Sequence, residues 1–252
     1  MTAAVRALAE GPDLLALAAA WPERFPLLLE SVAHGTPQAR YDILLAFPQE
    51  SLRLDAAGVL SDAAGEVLSE PFLAALDRAW RRLGRPRDVA DDAAHLPFRG
   101  GWGLFLGYEL AGQIEPRLNL PLAPERALPV ALALYCPAAI VVDRQSRRGW
   151  LVAESAQAGL LDILHTMIAD CPAFVAASPT IATLDEDPPR RFLDGVQRIQ
   201  DYLRAGDVFQ VNLSREWHAR FAPRVRGTDL YAALRRANPA PFAGLLQGPG
   251  WA

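Results

Sequence analysis

Residues 192–244 read FLDGVQRIQDYLRAGDVFQVNLSREWHARFAPRVRGTDLYAALRRANPAPFAG, and two rhythms follow one another inside them. Phe192, Val196, Ile199 and Leu203 recur at steps of four, three and four, the period of one helical face. Gly206 directly after them is a helix stop, because a glycine takes the left-handed conformation that closes the last turn. From Asp207 the rhythm changes. Phe209, Val211, Leu213 and Trp217 alternate with Gln210, Asn212, Ser214 and Glu216, which predicts a strand with one apolar and one polar face. Thr228 then caps a second helix carrying Leu230, Tyr231 and Leu234, ended by Asn238-Pro239. The polar face of the strand has two readings: a solvated side, or the lining of a ligand cavity. Short neutral donors and acceptors such as Gln210, Asn212 and Ser214 orient a small hydroxylated carboxylate without supplying a strong base.

Outward from this stretch, the chain continues the mixture. Residues 1–20 are rich in alanine and leucine and read as a lead-in. Tyr41 to Phe47 is a buried strand ended by Pro48. A hairpin is expected around Asp55–Gly58, and a helix over Pro71–Leu83, with Phe72, Leu76, Trp80 and Leu83 on one face and Gly84 closing it. Gly100, Gly101, Gly103 and Gly107 punctuate an apolar segment without the P-loop lysine or the dinucleotide spacing. The segment is therefore read as a strand in which glycines admit close backbone approach. Glu109 in it is read as a structural partner for an arginine. Pro129–Tyr135, Ala139–Asp143 and Trp150–Ala153 are three more strands, and Leu160–Ile168 is a helix. Cys171 to Arg190 holds four prolines and reads as a linker and domain boundary. Many strands, segregated helices and no regular βαβ rhythm give an α+β class.

Composition narrows the function. The 252 residues carry a net charge of −4, which suggests neither a nucleic-acid nor a membrane-surface partner. All 25 basic residues are arginine, so the chain offers no lysine nucleophile. Cys136 and Cys171 match no metal spacing and no disulfide framework. The first residues lack the pattern of a secretory signal, so a cytoplasmic location is expected.

Three segments carry a resemblance. GDVFQVNLSR (206–215) followed by NPAPF (238–242), FPLLLESVAHGTPQARYDILLAFP (25–48) and PFRGGWGLFLGYELAGQIE (97–115) resemble, in order, signatures of the chorismate-utilising enzymes. The likeness is closest to component I of aminodeoxychorismate synthase and of anthranilate synthase. It implies two antiparallel sheets packed together with helices outside, truncated relative to the family. Residues 1–175 would form an amino-terminal domain, and 190–252 the start of an incomplete chorismate-binding domain. It also implies amination of chorismate to 4-amino-4-deoxychorismate, Mg²⁺ as cofactor with ligands beyond this chain, and ammonia delivered by a glutamine amidotransferase subunit. Anthranilate synthase and a non-catalytic docking fragment are the alternative readings. The Arg40-Tyr41-Asp42 run leans towards the aminodeoxychorismate branch, since anthranilate enzymes more often continue Arg-Tyr-Ser.

The resemblance extends to residues. Water-using relatives place a lysine where this chain has Gln210, and a neutral amide there fits a site that receives ammonia. A tryptophan pocket is implied at Ser31, at Gln38, Ala39, Arg40 and Tyr41, and at Pro241, Phe242 and Ala243. Ser31 would meet the amino-acid end, and Pro241 and Phe242 would flank an indole. The plainer reading makes these packing and turn residues. The lysine of a Pro-Ile-Lys-Gly-Thr segment, used covalently by some relatives, would fall after Ala252.

Overall fold

The structure is a computed structural model, and it describes residues 3–33, 39–83, 95–118, 120, 128–222 and 224–252. Thirteen strands and six α-helices alternate along them. They are β1 (Ala3–Leu8), α1 (Leu14–Ala20), β2 (Leu27–Glu30), β3 (Tyr41–Ala46), β4 (Glu50–Leu54), β5 (Leu60–Asp62), β6 (Val67–Leu68), α2 (Phe72–Leu83), β7 (Gly101–Leu106), α3 (Ala111–Ile114), β8 (Ala131–Cys136), β9 (Ala138–Asp143), β10 (Gly149–Glu154), α4 (Leu160–Ala169), β11 (Ile181–Glu186), α5 (Pro189–Ala205), β12 (Trp217–Phe221), α6 (Gly227–Ala237) and β13 (Ala243–Leu246). A six-stranded sheet has the order β1-β10-β9-β3-β2-β13, and a five-stranded one the order β6-β5-β4-β8-β7. β11 and β12 form a separate pair. Every strand pairing is antiparallel. This is the α+β class with helices packed outside antiparallel sheets.

Strand alternation explains how the layers stack. On β3, Leu44 and Ala46 enter a core with α1, α4 and α6, whereas Leu45 meets Leu132 and Leu134 of β8. On β8, Ala131 and Ala133 turn the other way, into a core under α2. Successive side chains of one strand therefore feed two cores, and the two sheets lie face to face between helical layers. β8 is buried along its whole length, because both of its faces are covered. Leu28, Leu44, Ile140, Leu151 and Leu164 are fully inaccessible, each worth roughly 1.5–3 kcal/mol of burial. Gly103 lets the sheets approach: a Cβ there would stand 2.8 Å from Leu45 and 2.9 Å from Leu27. β8 and β9 are separated only by Pro137, yet belong to different sheets.

Three expectations need correction. Residues 1–20 are not a lead-in. β1 pairs with β10, and Asp13 caps α1 by accepting from the Leu15 and Ala16 amides, so Leu14, Leu15 and Leu17 can be buried. The expected linker 171–190 contains β11, which pairs with β12 across a register shift between Ile181 and Thr183. Its prolines bracket that strand rather than fill it: Pro179 precedes it, and Pro188 and Pro189 follow it and open α5. The strand expected over 209–217 is also absent. Residues 207–216 are irregular, and β12 begins only at Trp217. Glu186 pairs with Trp217 at the end of β11, and the two prolines then turn the chain into α5. Among the described residues no strand is left opposite 207–216, and alternation without a partner does not satisfy a backbone.

The expected helix over 192–205 is present as α5. Gly206 closes it at φ 79°, and the Asp207 amide reaches back to the Tyr202 carbonyl. The second helix starts at Gly227, one residue before the expected cap, and Asn238 ends it. Gly84 lies outside the described residues. β13, from the last part of the chain, does not stand apart: it adds to the edge of the six-stranded sheet beside β2.

Candidate functional site

Two places bring the singled-out residues together. The first is the seam between β2, β3, β13 and α6. Ala243 pairs with Glu30, and the Ala33 amide donates to the Ala240 carbonyl at 2.9 Å. The segments around Ser31 and Pro241, about two hundred residues apart, are thus direct neighbours. Ser31 is buried. Its amide donates to Asp42 at 2.8 Å, and its hydroxyl to the Tyr41 carbonyl at 3.1 Å. Arg40 lies 4.7 Å from the centre of the Tyr41 ring and bonds Asp143 at 3.1 Å. Pro241 and Ala243 are half-buried, but Phe242 is 78% exposed, so its ring closes no cavity within the described chain. Gln38 lies outside the described residues. Ala39 is half-buried, just before Arg40 on the approach to β3.

Sequence reasoning missed the charges beneath this seam. Glu30 and Asp42 are both buried. Arg235 of α6 donates to Glu30 at 3.0 and 3.2 Å, a two-oxygen grip on the carboxylate. Arg144 bonds Asp42 at 2.8 Å and stands 3.6 Å from Glu30. The cluster ties the helix, two strands and the turn after β9 into one unit. Both carboxylates are held by guanidinium groups, which makes them structural anchors of the seam. Tyr231 of α6 is buried beside them, and its hydroxyl has no well-formed hydrogen bond. Burial first, then the Glu30 charge, raises its pKa, so the phenol stays neutral. The missed signal was Glu30 itself, a charge next to LLL at the end of a short, mostly buried strand.

The second place is the irregular run 207–216. Gln210, Asn212 and Ser214 are all exposed, and so is Phe209, at 96%. The polar face foreseen for a strand therefore lines no enclosed cavity in the described residues. Leu213 packs against Gly195, where a Cβ would stand 3.1 Å away, and this run and α5 bound an open cleft of about 830 Å³. Ser214 borders the cleft together with Phe192, Arg190, Arg198 and Arg215. Arg215 bonds Glu186 at 3.1 Å and lies over the Trp217 ring. Among the described residues no group of three or more His, Cys, Asp or Glu could hold a metal ion. Glu109 is half-buried in a short 3-10 turn, and His165 is exposed on α4.

Comparison with known proteins decides the family. The profile described as chorismate binding enzyme matches residues 38–252. The chain belongs to the chorismate binding enzyme family. The chain is 30% identical over 161 residues to an anthranilate synthase component I-like protein of Synechocystis sp., covering 62% of the chain and 32% of that relative. It is 29% identical over 228 residues to aminodeoxychorismate synthase component 1 of Klebsiella aerogenes, covering 88% of the chain and 48% of the relative. The fold matches the crystal structure of anthranilate synthase component I from Streptococcus pneumoniae with a TM-score of 0.61 at 24% identity, over 82% of this chain and 47% of that one. The chain thus spans about half the length of its relatives, or less. No helix of the described residues is long and apolar enough to cross a membrane.

Proposed function

We propose that this chain is the amino-terminal part of a component I subunit that aminates chorismate, and that the whole protein forms 4-amino-4-deoxychorismate. Ammonia would come from a glutamine amidotransferase partner. The observation that carries the choice of branch is Asp42. It follows Arg40-Tyr41 where anthranilate enzymes more often have serine, and it holds both the Ser31 amide and Arg144. A serine there would leave Arg144 without that carboxylate. The reading of Gln210 supports amination over hydration, because an amide cannot take a proton from water. The experiment is product analysis of the full-length protein with chorismate and ammonium. The expected product carries nitrogen at the ring carbon that bore the hydroxyl, with the pyruvyl ether intact. Anthranilate plus pyruvate would instead assign the second branch, whose name several relatives bear. In the same assay Gln210→Lys is expected to lower amination by about tenfold or more and to admit a hydroxylated product. Unchanged rate and product would place Gln210 outside the nucleophile's path.

The β2–β13 seam supports a second reading, a tryptophan pocket away from the chemistry. Its two motif segments meet through paired strands, and Ser31 keeps acceptor capacity at its hydroxyl. Tryptophan is expected to raise the melting temperature of the protein, with the shift lost in Ser31→Ala. An equal shift in that variant would count against the pocket.

A further inference from the structure

We propose that the cavity between α2 and β7 is a binding site for a small organic ammonium ion with an aromatic or branched apolar body. The cavity measures about 600 Å³, within the range of sites that take small ligands. It shares no lining residue with the 207–216 cleft, and none of the seam residues named above borders it. α2 presents Leu73, Leu76, Trp80 and Leu83 to it at helical spacing, and Phe98 and Trp102 come from the β7 side. These rings and branched chains form an apolar chamber, and aromatic faces attract cations through their quadrupoles.

The polar groups give the ligand its charge. Glu154, at the end of β10, is 7% exposed and borders the cavity together with Tyr135. The Tyr135 hydroxyl donates to Glu154 Oε1. Burial, then this bond, raises the tyrosine's pKa, which keeps it a neutral donor. A carboxylate offers about four acceptor sites and one tyrosine uses one, so Glu154 can still receive an N–H donor. Gly100 closes over it at φ 103°, where a Cβ would fall 2.7 Å from Glu154 Cγ. The close approach makes the carboxylate part of a built wall. Asp77, on the exposed side of α2, is already paired with Arg81 at 2.9 Å, and Arg99 supplies a positive charge. The buried charge of the lining is therefore the Glu154 carboxylate, which suits a monocation. Trp102 also borders another cavity, on the β4 side of α2, so its unpartnered indole N–H is assigned to neither.

The test compares three probes that share a phenyl body: 2-phenylethylammonium, 2-phenylethanol and phenylacetate. Titrations would be followed by calorimetry and by tryptophan fluorescence, since Trp80 and Trp102 line the chamber. The ammonium should bind saturably and at least tenfold tighter than the alcohol, and phenylacetate should not saturate. Glu154→Gln should remove that tenfold preference, and Leu76→Trp, which crowds the apolar wall with a further indole, should abolish binding while leaving any tryptophan response at Ser31 intact. The wild-type probe series decides the matter even if Glu154→Gln fails to fold. No saturation by the ammonium up to about 10 mM, equal affinity for alcohol and amine, or binding that survives Leu76→Trp would each overturn the proposal.

Discussion

Given chorismate, magnesium and ammonium, the 252-residue chain alone should form aminated product at least about 10³-fold more slowly than a full-length relative. The expectation rests on three features of the described residues. Gln210, Asn212 and Ser214 stand in solvent, so a bound substrate would keep its water. No acidic or histidine cluster could hold a metal against its carboxylate. The cleft beside α5 is bounded on one side only by an irregular run. Preorganised dipoles in a dry site supply the largest share of many rate enhancements, and losing one such donor already costs about 10²–10³ in rate. Chromatography of the reaction over hours is the measurement. A rate near that of a whole subunit would locate the chemistry in residues assigned here to support.

The second large effect is on stability. Glu30→Ala should cost about 3 kcal/mol, read as a lower midpoint in urea unfolding at unchanged slope. Removing Glu30 strands Arg235 and takes one neighbour from Arg144, both only about a quarter exposed. The cost sits at the low end for a broken buried pair because those arginines can reach some water. Removing Glu30 and Arg235 together should cost less than the sum of the two single changes, since the second deletion relieves the stranded charge. A loss below about 1 kcal/mol for Glu30→Ala would show that water replaces the carboxylate.

What the sequence discloses depends on whether an element's signal is local. α5 is legible to within a few residues because its apolar spacing and its glycine stop are both intrinsic to the segment. β3, β8, β9 and β10 are legible because buried runs bounded by turns need no further information. The run 207–216 carries an equally clean alternation and yet forms no strand, since a strand's hydrogen bonds belong to its neighbour. The Pro188-Pro189 turn that removes the neighbour lies some twenty residues earlier. β11 was hidden for the opposite reason, in a proline-rich stretch whose prolines stand outside it. For the site, the three motif segments identify the family, but the Glu30–Arg235 and Asp42–Arg144 anchors join residues from distant elements. Only the fold brings those charges together.

The pairing of β2 with β13 also sets a schedule for assembly. β2 leaves the ribosome early, but the strand that covers its outer edge follows about 200 residues later. At 5–20 residues per second that delay is roughly 10–40 s. Throughout it, the leucines of β2 and its unpaired amides form an open template for any other extended chain. The closing contact has very large sequence separation, and loop-closure entropy must be met before it contributes anything. Nascent chains of this protein are thus most exposed to mispairing at the same edge that, once covered, joins the first third of the sequence to the last.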